Sequence, residues 1–520
     1  MFGRKGFMVK KILFSSTPTE KRAALLENEK VVELVVERPD YFRQVGNIYR
    51  GKVVSILPGI QAAFIDIGME KAAFLHASDV DPSLLMEEDD LMERFSAGGR
   101  GNSKRGKVPR VPIEKALEKG QELLVQVIKE PISTKGAKVT TQISLAGRFL
   151  VLVPDTDFIG VSKKSSESGR RSRLKKLISQ IKPPGVGFIV RTIGLSVSET
   201  EFVNEIHMLL DAWKKTQEEA LSGTGIKMVH RELGITTRVI RDLFSEDVTE
   251  VHADQEDDYR DIQHYVKALS PEMAKRVYYY RDKTPLFDKF NIEKDLDRLL
   301  KRKVWLKSGG YILIDRTEAL VAIDVNTGRN VGKNKNSLEE TIYKTNADAA
   351  VEICRQLRLR DIGGQIVVDF IDMKSLENRR KIESAMKKML DTDSTATDYT
   401  GLSKFGLMEI TRKRVRPELQ EFFTDVCISC GGLGWIFSPE TVTSRIDRDL
   451  RRALRKPKTV TVYVHHVVAE YLIKENKGAM RAALEREHGC YLDVVVNDEY
   501  DQDEFSFKEI AGGVVREEEA

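Results

Sequence analysis

Two apolar runs that end in acid constrain this chain more than any other feature. Ala319–Asn326 carries Asp324 near its end, and Gln365–Asp372 carries Asp369 and Asp372. Between them Leu338, Ile342, Ala349, Ile353 and Leu357 recur at helical spacing. Ser337-Leu338-Glu339-Glu340 has the pattern of a capping box. Glu340 and Lys344 make an i,i+4 pair on the other face, and Gly363-Gly364 ends the segment. This predicts a β-α-β path whose right-handed crossover makes the two strands parallel neighbours. Asp324 and Asp369 would then share one end of a sheet. Asn326, two residues past Asp324, lies on the same side of its strand. The pleat does not set the direction of Asp372, three residues past Asp369.

A charged carboxylate cannot be left unpaired at a buried strand end. A hard divalent cation held by oxygen, most simply Mg²⁺, would satisfy both acids. An ion so held lowers the pKa of bound water and neutralises charge at a phosphoryl group. The same acids would serve equally as helix caps or as partners of Arg358 and Arg360. Spacing alone leaves both readings open.

At 520 residues the chain is too long for one core, and length suggests three or four domains. With 41% apolar and 32% charged residues it has the composition of a soluble globular protein. No run approaches the ~18 apolar residues of a membrane helix. Met1-Phe2-Gly3-Arg4-Lys5 is basic, but Ile12-Leu13-Phe14 is too short for a signal sequence. The expectation is a cytoplasmic protein.

Net charge is only +4, so partners are better judged from where the charge lies. Basic clusters stand at Arg170–Lys176, Arg412–Arg416 and Arg448–Lys456, and acid is set apart at Glu87–Asp90 and Glu517–Glu519. Segregation of this kind permits a positive face that follows a phosphate backbone, although each cluster also suits an ordinary solvated helix.

Along the chain, residues 9–42 read as two short strands around a helical stretch. Five short β runs follow between 43 and 141, with Gly and Pro turns, and suit a small barrel of the OB type. They are Ile48–Val54, Ala62–Gly68, Ala72–Leu75, Leu123–Ile128 and Val139–Ile143. Residues 82–112 pass from acidic to Gly/Arg/Lys-rich without apolar periodicity and read as a mobile insertion. Residues 142–236 hold a strand at Val186–Thr192 and then a helix containing Trp213. Residues 237–299 look mainly helical, 300–423 form the α/β segment with the acids, 424–438 a Cys/Gly-rich link, and 439–520 a small α/β domain and tail.

Four cysteines in so long a chain exclude a disulfide framework. Cys427 and Cys430, followed by Gly431 and Gly432, form a metal-knuckle pattern that supplies half of a four-ligand zinc site. The same pair from a second chain would complete it, which predicts a dimer about a two-fold axis. A redox pair and a metal-free loop are the competing readings. Cys354 and Cys490 read as core residues.

With these residues in hand, the chain closely resembles the bacterial ribonuclease E/G family over nearly its whole length. The most specific stretches are Ala322–Gly328, Arg355–Gly364, Val368–Met373, Phe405–Ile410 and the Cys427/Cys430 link. The resemblance implies a multidomain α/β (α+β) protein. An OB-fold barrel (43–141) is inserted in an RNase H-like subdomain (1–42 and 237–299), beside a 5′-sensor subdomain (142–236). A DNase I-like catalytic subdomain (300–423), a zinc link (424–438) and a small C-terminal domain (439–520) follow. By the same resemblance Asp324 and Asp369 match Mg²⁺ ligands, and Asn326 a residue orienting the scissile phosphate. Phe64, Phe74 and Lys135 match RNA-gripping positions of the barrel. Arg191 and Thr192 match a pocket for a 5′-monophosphate, with Val151 beside it. Cys427 and Cys430 match an inter-protomer zinc link.

The implied activity is a Mg²⁺-dependent endoribonuclease with one catalytic ion per site. It would cut single-stranded, A/U-rich RNA, be stimulated by a 5′-monophosphate, and act in ribosomal RNA processing and messenger RNA decay. The implied assembly is a homodimer through shared Zn²⁺, or a homotetramer built from it. The alternative is a non-catalytic RNA-binding or chaperone protein. Three departures from the family stand out. The 82–112 insertion is long, Lys163-Lys164 replaces an arginine pair, and no Pro/Arg-rich scaffold follows residue 511, as in the compact, ribonuclease G-like members.

Overall fold

Ala23, Ala24, Leu25 and Leu26 are four successive residues at most 4% exposed. A helix at the surface of a core buries a stripe, whereas a central strand buries both faces. Lys21–Glu27 is accordingly a strand, paired antiparallel to Lys10–Ser16 on one side and Lys30–Glu37 on the other. This corrects the helical stretch expected between residues 9 and 42. Ala and Leu favour helix in isolation, but pairing on both edges overrides that preference.

The computed structural model describes residues 9–38, 43–80, 112–131, 136–161, 168–328, 335–453, 459–474 and 478–509. The chain divides into two units, Met1–Phe422 and Phe423–Ala520.

Within the first unit the opening sheet has the order Val277–Tyr279, Val248–Ala253, Lys10–Ser16, Lys21–Glu27, Lys30–Glu37. Its first three strands run parallel. Helices Ile235–Leu243 and Glu256–Leu269 cover it through Ile240, Phe244, Ile262 and Val266, which meet Ile12 and Phe14.

The chain leaves that sheet to build a closed barrel of the five expected strands. Ile48–Leu57, Ala62–Asp66 and Ala73–His76 follow in order, then Lys138–Thr140 and Glu122–Lys129, which returns to the first. The contact between Ala73–His76 and Lys138–Thr140 is parallel and the rest antiparallel. This is a five-stranded barrel of OB type. Gly51 lies where a Cβ would come within 2.7 Å of Ile65 Cγ2, so the barrel wall has room only for glycine there. A third sheet takes Ile159–Val161, Val186–Val190, Leu150–Pro154 and Leu145–Ala146 in that order. Helix Glu199–Leu221 packs on it, started by a capping box of Ser198 and Glu201.

The fourth sheet orders Lys303–Trp305, Tyr311–Arg316, Leu320–Asn326, Gly364–Asp369, Leu407–Arg412 and Thr397–Tyr399. Helices Lys335–Leu359 and Leu376–Leu390 bury one face of it, through Ala349, Ala350, Ile353, Leu357, Ile382 and Met386. Side chains alternate along a strand, so Ile323, Val325 and Val368 enter this core while Asp324 and Asp369 point to the open face.

The second unit contains a sheet ordered Tyr491–Val496, Thr459–Val464, Phe505–Glu509. Helices Pro439–Ala453, His466–Ile473 and Ala479–His488 bury it through Val442, Ile446, Leu472 and Leu484. Cys490 lies in this core and Cys354 in that of the fourth sheet, as expected. Among the described residues no helix is long and apolar enough to cross a membrane.

Candidate active site

The expected crossover exists, and its register is specific. Leu320–Asn326 and Gly364–Asp369 run parallel with Asp324 directly beside Asp369. Both carboxylates are exposed on the open face of the sheet. Asn326 stays on the same face and its Nδ2 donates to Asp324 Oδ2 at 2.7 Å. Burial, then the neighbouring Asp324 and Asp372, push the Asp369 carboxyl above its usual value. Asp372 is near enough for its charge to act on Asp369. Among the described residues no three His, Cys, Asp or Glu side chains converge as a ready metal cage.

The partners that sequence left open are engaged elsewhere. Arg358 donates to Glu33 and Glu27, and Arg360 to Gln356 and the Lys301 carbonyl. The Arg412–Arg416 cluster is likewise structural in large part. Arg412 is buried between Asp361 and Asp393, and Arg416 pairs with Asp361. The helix begins at Lys335, ahead of the expected cap at Ser337. Glu339 from the expected capping box serves a different helix: it accepts from Lys374 N, Ser375 N and Asn378 Nδ2 at the start of Leu376–Leu390.

Asn346 was not singled out from sequence, yet it fixes the acidic segment. Fully buried on the helix, it donates to the Ile371 carbonyl at 2.8 Å and accepts from Ile371 N at 3.1 Å. A polar residue in the stripe between Ile342 and Ala349 must find such partners, and that was the available signal. Gly310 crosses close to Asn326: a Cβ on it would sit 2.5 Å from the Asn326 carbonyl oxygen.

On the barrel, Phe64 and Phe74 are cross-strand partners with centroids 6.0 Å apart in an edge-on arrangement. Both are half-buried, while Ala63, Ile65, Ala73 and Leu75 fill the interior. His76 adds a third ring 6.5 Å from Phe74, a position sequence reading did not mark. Lys135, Lys163-Lys164 and residues 82–111 of the insertion lie outside the described residues.

Arg191 follows the strand Val186–Val190, which pairs with Leu150–Pro154 so that Val151 faces Ile189. Its Nη1 donates to the Gly147 carbonyl at 2.7 Å and to Asp242 Oδ1 at 3.0 Å. Thr192 opens the short 3₁₀ turn Thr192–Ser196, and its side chain lies outside the described residues. Glu205, fully buried, accepts from Arg148 N, Phe149 N (2.7 Å) and Leu150 N (2.8 Å), and so holds the turn that presents Gly147. Burial raises the Glu205 carboxyl to about 7 against the pull of these three donors.

In the second unit Cys427 and Cys430 are free thiols. Backbone N–H groups of Gly434 and Gly432, with the Cys427 thiol, hold Cys430 below its ordinary pKa. Gly431, Gly432 and Gly434 all take positive φ, which lets the backbone turn those amides toward sulfur. Around the pair Val426, Ile428, Leu433 and Trp435 are 63–92% exposed.

Comparison with known proteins falls on one family. The model described as "Ribonuclease E/G family" matches residues 144–415. Ribonuclease G of Escherichia coli K12 is 36% identical over 500 residues, covering 96% of this chain and 99% of that protein. Ribonuclease G of Haemophilus influenzae is 34% identical over 496 residues, 95% of this chain and 98% of that protein. Ribonuclease E of Escherichia coli K12 is 34% identical over 496 residues, 94% of this chain but 45% of that protein. The chain belongs to the ribonuclease E/G family. It matches the G relatives from end to end, and less than half of that longer E relative.

Proposed function

We propose that this chain is a Mg²⁺-dependent endoribonuclease that hydrolyses single-stranded, A/U-rich RNA in the cytoplasm, in ribosomal RNA processing and messenger RNA decay. The enzyme class is that of its family. The site reading is carried by one observation: Asp324 stands beside Asp369 with Asn326 bonded to it.

These residues fit Mg²⁺. They offer oxygen alone, and the charges acting on Asp369 are those of Asp324 and Asp372, both negative. Mg²⁺ held there would neutralise charge on the scissile phosphate and activate water. Asn326 keeps one Asp324 oxygen in place, and Asn346 keeps Asp372 and its neighbours at the sheet end. Hydrolysis leaves a 5′-phosphate and a 3′-hydroxyl.

Phe64 and Phe74, with Lys135, would grip the strand by stacking and charge. Arg191 would share its guanidinium between Asp242 and a 5′-monophosphate, with Thr192 and Val151 completing the pocket. On this reading residues 1–42 and 237–299 are the RNase H-like subdomain, 142–236 the sensor and 300–423 the DNase I-like catalytic part. The Cys427/Cys430 knuckle fits half of a Zn²⁺ site, and the apolar surface around it suits a second copy of the chain, in a homodimer or a tetramer built from it.

The test is cleavage of a short unstructured RNA with and without EDTA, with metal content measured on the same sample. Asp324→Asn should abolish cleavage and leave RNA affinity nearly intact. Equal cleavage by the variant would remove Asp324 from the site, and no cleavage by the wild type would favour a non-catalytic RNA-binding role.

A further inference from the structure

The open face that carries the acids also carries a feature that the proposed chemistry does not use. Trp305 is 64% exposed on the edge strand Lys303–Trp305. It is paired directly with Tyr311, which in turn pairs with Asn326. One residue row further, Lys303 pairs with Leu313, Leu313 with Asp324, and Asp324 with Asp369. Directly paired residues project to the same face of a sheet. Trp305, Tyr311 and Lys303 therefore lie on the same surface as Asp324, Asn326 and Asp369. Two strand spacings, about 10 Å, separate the Trp305 strand from that of Asp324.

The three side chains form a unit. The Trp305 and Tyr311 rings meet edge-on with centroids 5.4 Å apart. The Lys303 ammonium lies 3.6 Å from the Tyr311 centroid and 4.2 Å from that of Trp305. An edge strand needs only a lysine to discourage pairing with another chain. It does not need a tryptophan left in water with a tyrosine set against it. A nucleobase offers the flat apolar face that such rings bind, and the phosphate attached to it offers the charge that suits Lys303.

We infer that Lys303, Trp305 and Tyr311 form a base-stacking subsite for a nucleotide flanking the scissile phosphate of single-stranded RNA. The inference rests on the reading of Asp324 and Asp369 as the cleavage site. Stacking accepts any base, so the subsite adds affinity at one position without choosing a sequence. It lies on the catalytic sheet and acts independently of the barrel rings.

The test uses one RNA sequence with a single abasic nucleotide moved through the positions around the cut. The full-length wild type should show a KM about tenfold higher when the abasic unit occupies one position near the cleaved bond. Trp305→Ala should be insensitive at that position alone and should raise KM on intact RNA about tenfold. Trp305→Phe should restore the sensitivity. If Trp305→Ala loses its melting transition, Trp305→Leu removes the π-face while keeping bulk and reads the same difference. Superimposable abasic profiles for wild type and a folded Trp305 variant would overturn the proposal. Should the wild type show no EDTA-sensitive cleavage, the cleavage-site reading fails by itself. Equilibrium binding of the same abasic series then decides the subsite by the same comparison.

Discussion

Glu205 shows how one buried residue can hold a turn distant from it in sequence. Its carboxylate gathers three consecutive N–H groups, and the turn so formed places the Gly147 carbonyl against Arg191. Removing it in Glu205→Ala leaves three buried donors without an acceptor, at roughly 3 kcal/mol or more. The turn should loosen, and any preference for 5′-monophosphorylated RNA should fall before cleavage of 5′-hydroxyl RNA does. The pH dependence has a definite sign. The folded protein holds this carboxyl at about 7, above its ordinary value of 4.5, so the native state binds the proton more tightly than the unfolded chain. Its contribution to stability is full below about pH 4.5 and declines as pH rises toward about 7. Glu205→Gln cannot titrate, and its urea midpoint should fall less than that of the wild type between pH 5 and pH 8. Equal declines would remove Glu205 as the source.

Among the elements, the pairing of Leu320–Asn326 with Gly364–Asp369 sets the acids, and the turn before Tyr311 passes close to Asn326. A Gly310→Ala methyl would press on the Asn326 carbonyl oxygen at 2.5 Å and on Thr345 Cγ2 at 2.8 Å. Asn326 must then shift, and a displacement near 1 Å at a reacting centre costs about 100-fold in rate. We expect Gly310→Ala to lose kcat by that order with RNA affinity kept, measured side by side on one preparation. The two acid-bearing strands of this sheet and the five of the barrel were legible because their apolar runs are short and bounded by turn residues, whereas the other four strands of the sheet were not marked. Lys21–Glu27 was not, because its Ala and Leu residues say nothing local about two flanking strands. Asn346, His76, Glu205 and Asp242 escaped for a related reason. Each acts on a residue distant in sequence or across a strand pair, and a lone polar side chain does not announce its partner. Arg191 was legible only through family resemblance, since an Arg-Thr pair has no pattern of its own.

For the whole molecule, the candidate groups divide between the two units. The first contains the acids, the barrel and Arg191, whereas the second contains the cysteine pair amid exposed apolar side chains. Cys427→Ser should therefore separate assembly from chemistry. Sedimentation should show loss of self-association, and bound zinc should fall from about one ion per two chains toward none. Cleavage of a short RNA by the isolated protomer should persist. Unchanged mass and zinc content would discard the shared-metal arrangement. The order in which the first unit is threaded has a further consequence for its birth on the ribosome. Strand Lys10–Ser16 lies between Lys21–Glu27 and Val248–Ala253, so one of its edges stays bare until the later strand emerges. The barrel, whose last strand ends at Thr140, can close long before that. A nascent chain stalled in between would display an open β edge backed by Ile12 and Phe14, a natural target for holding chaperones.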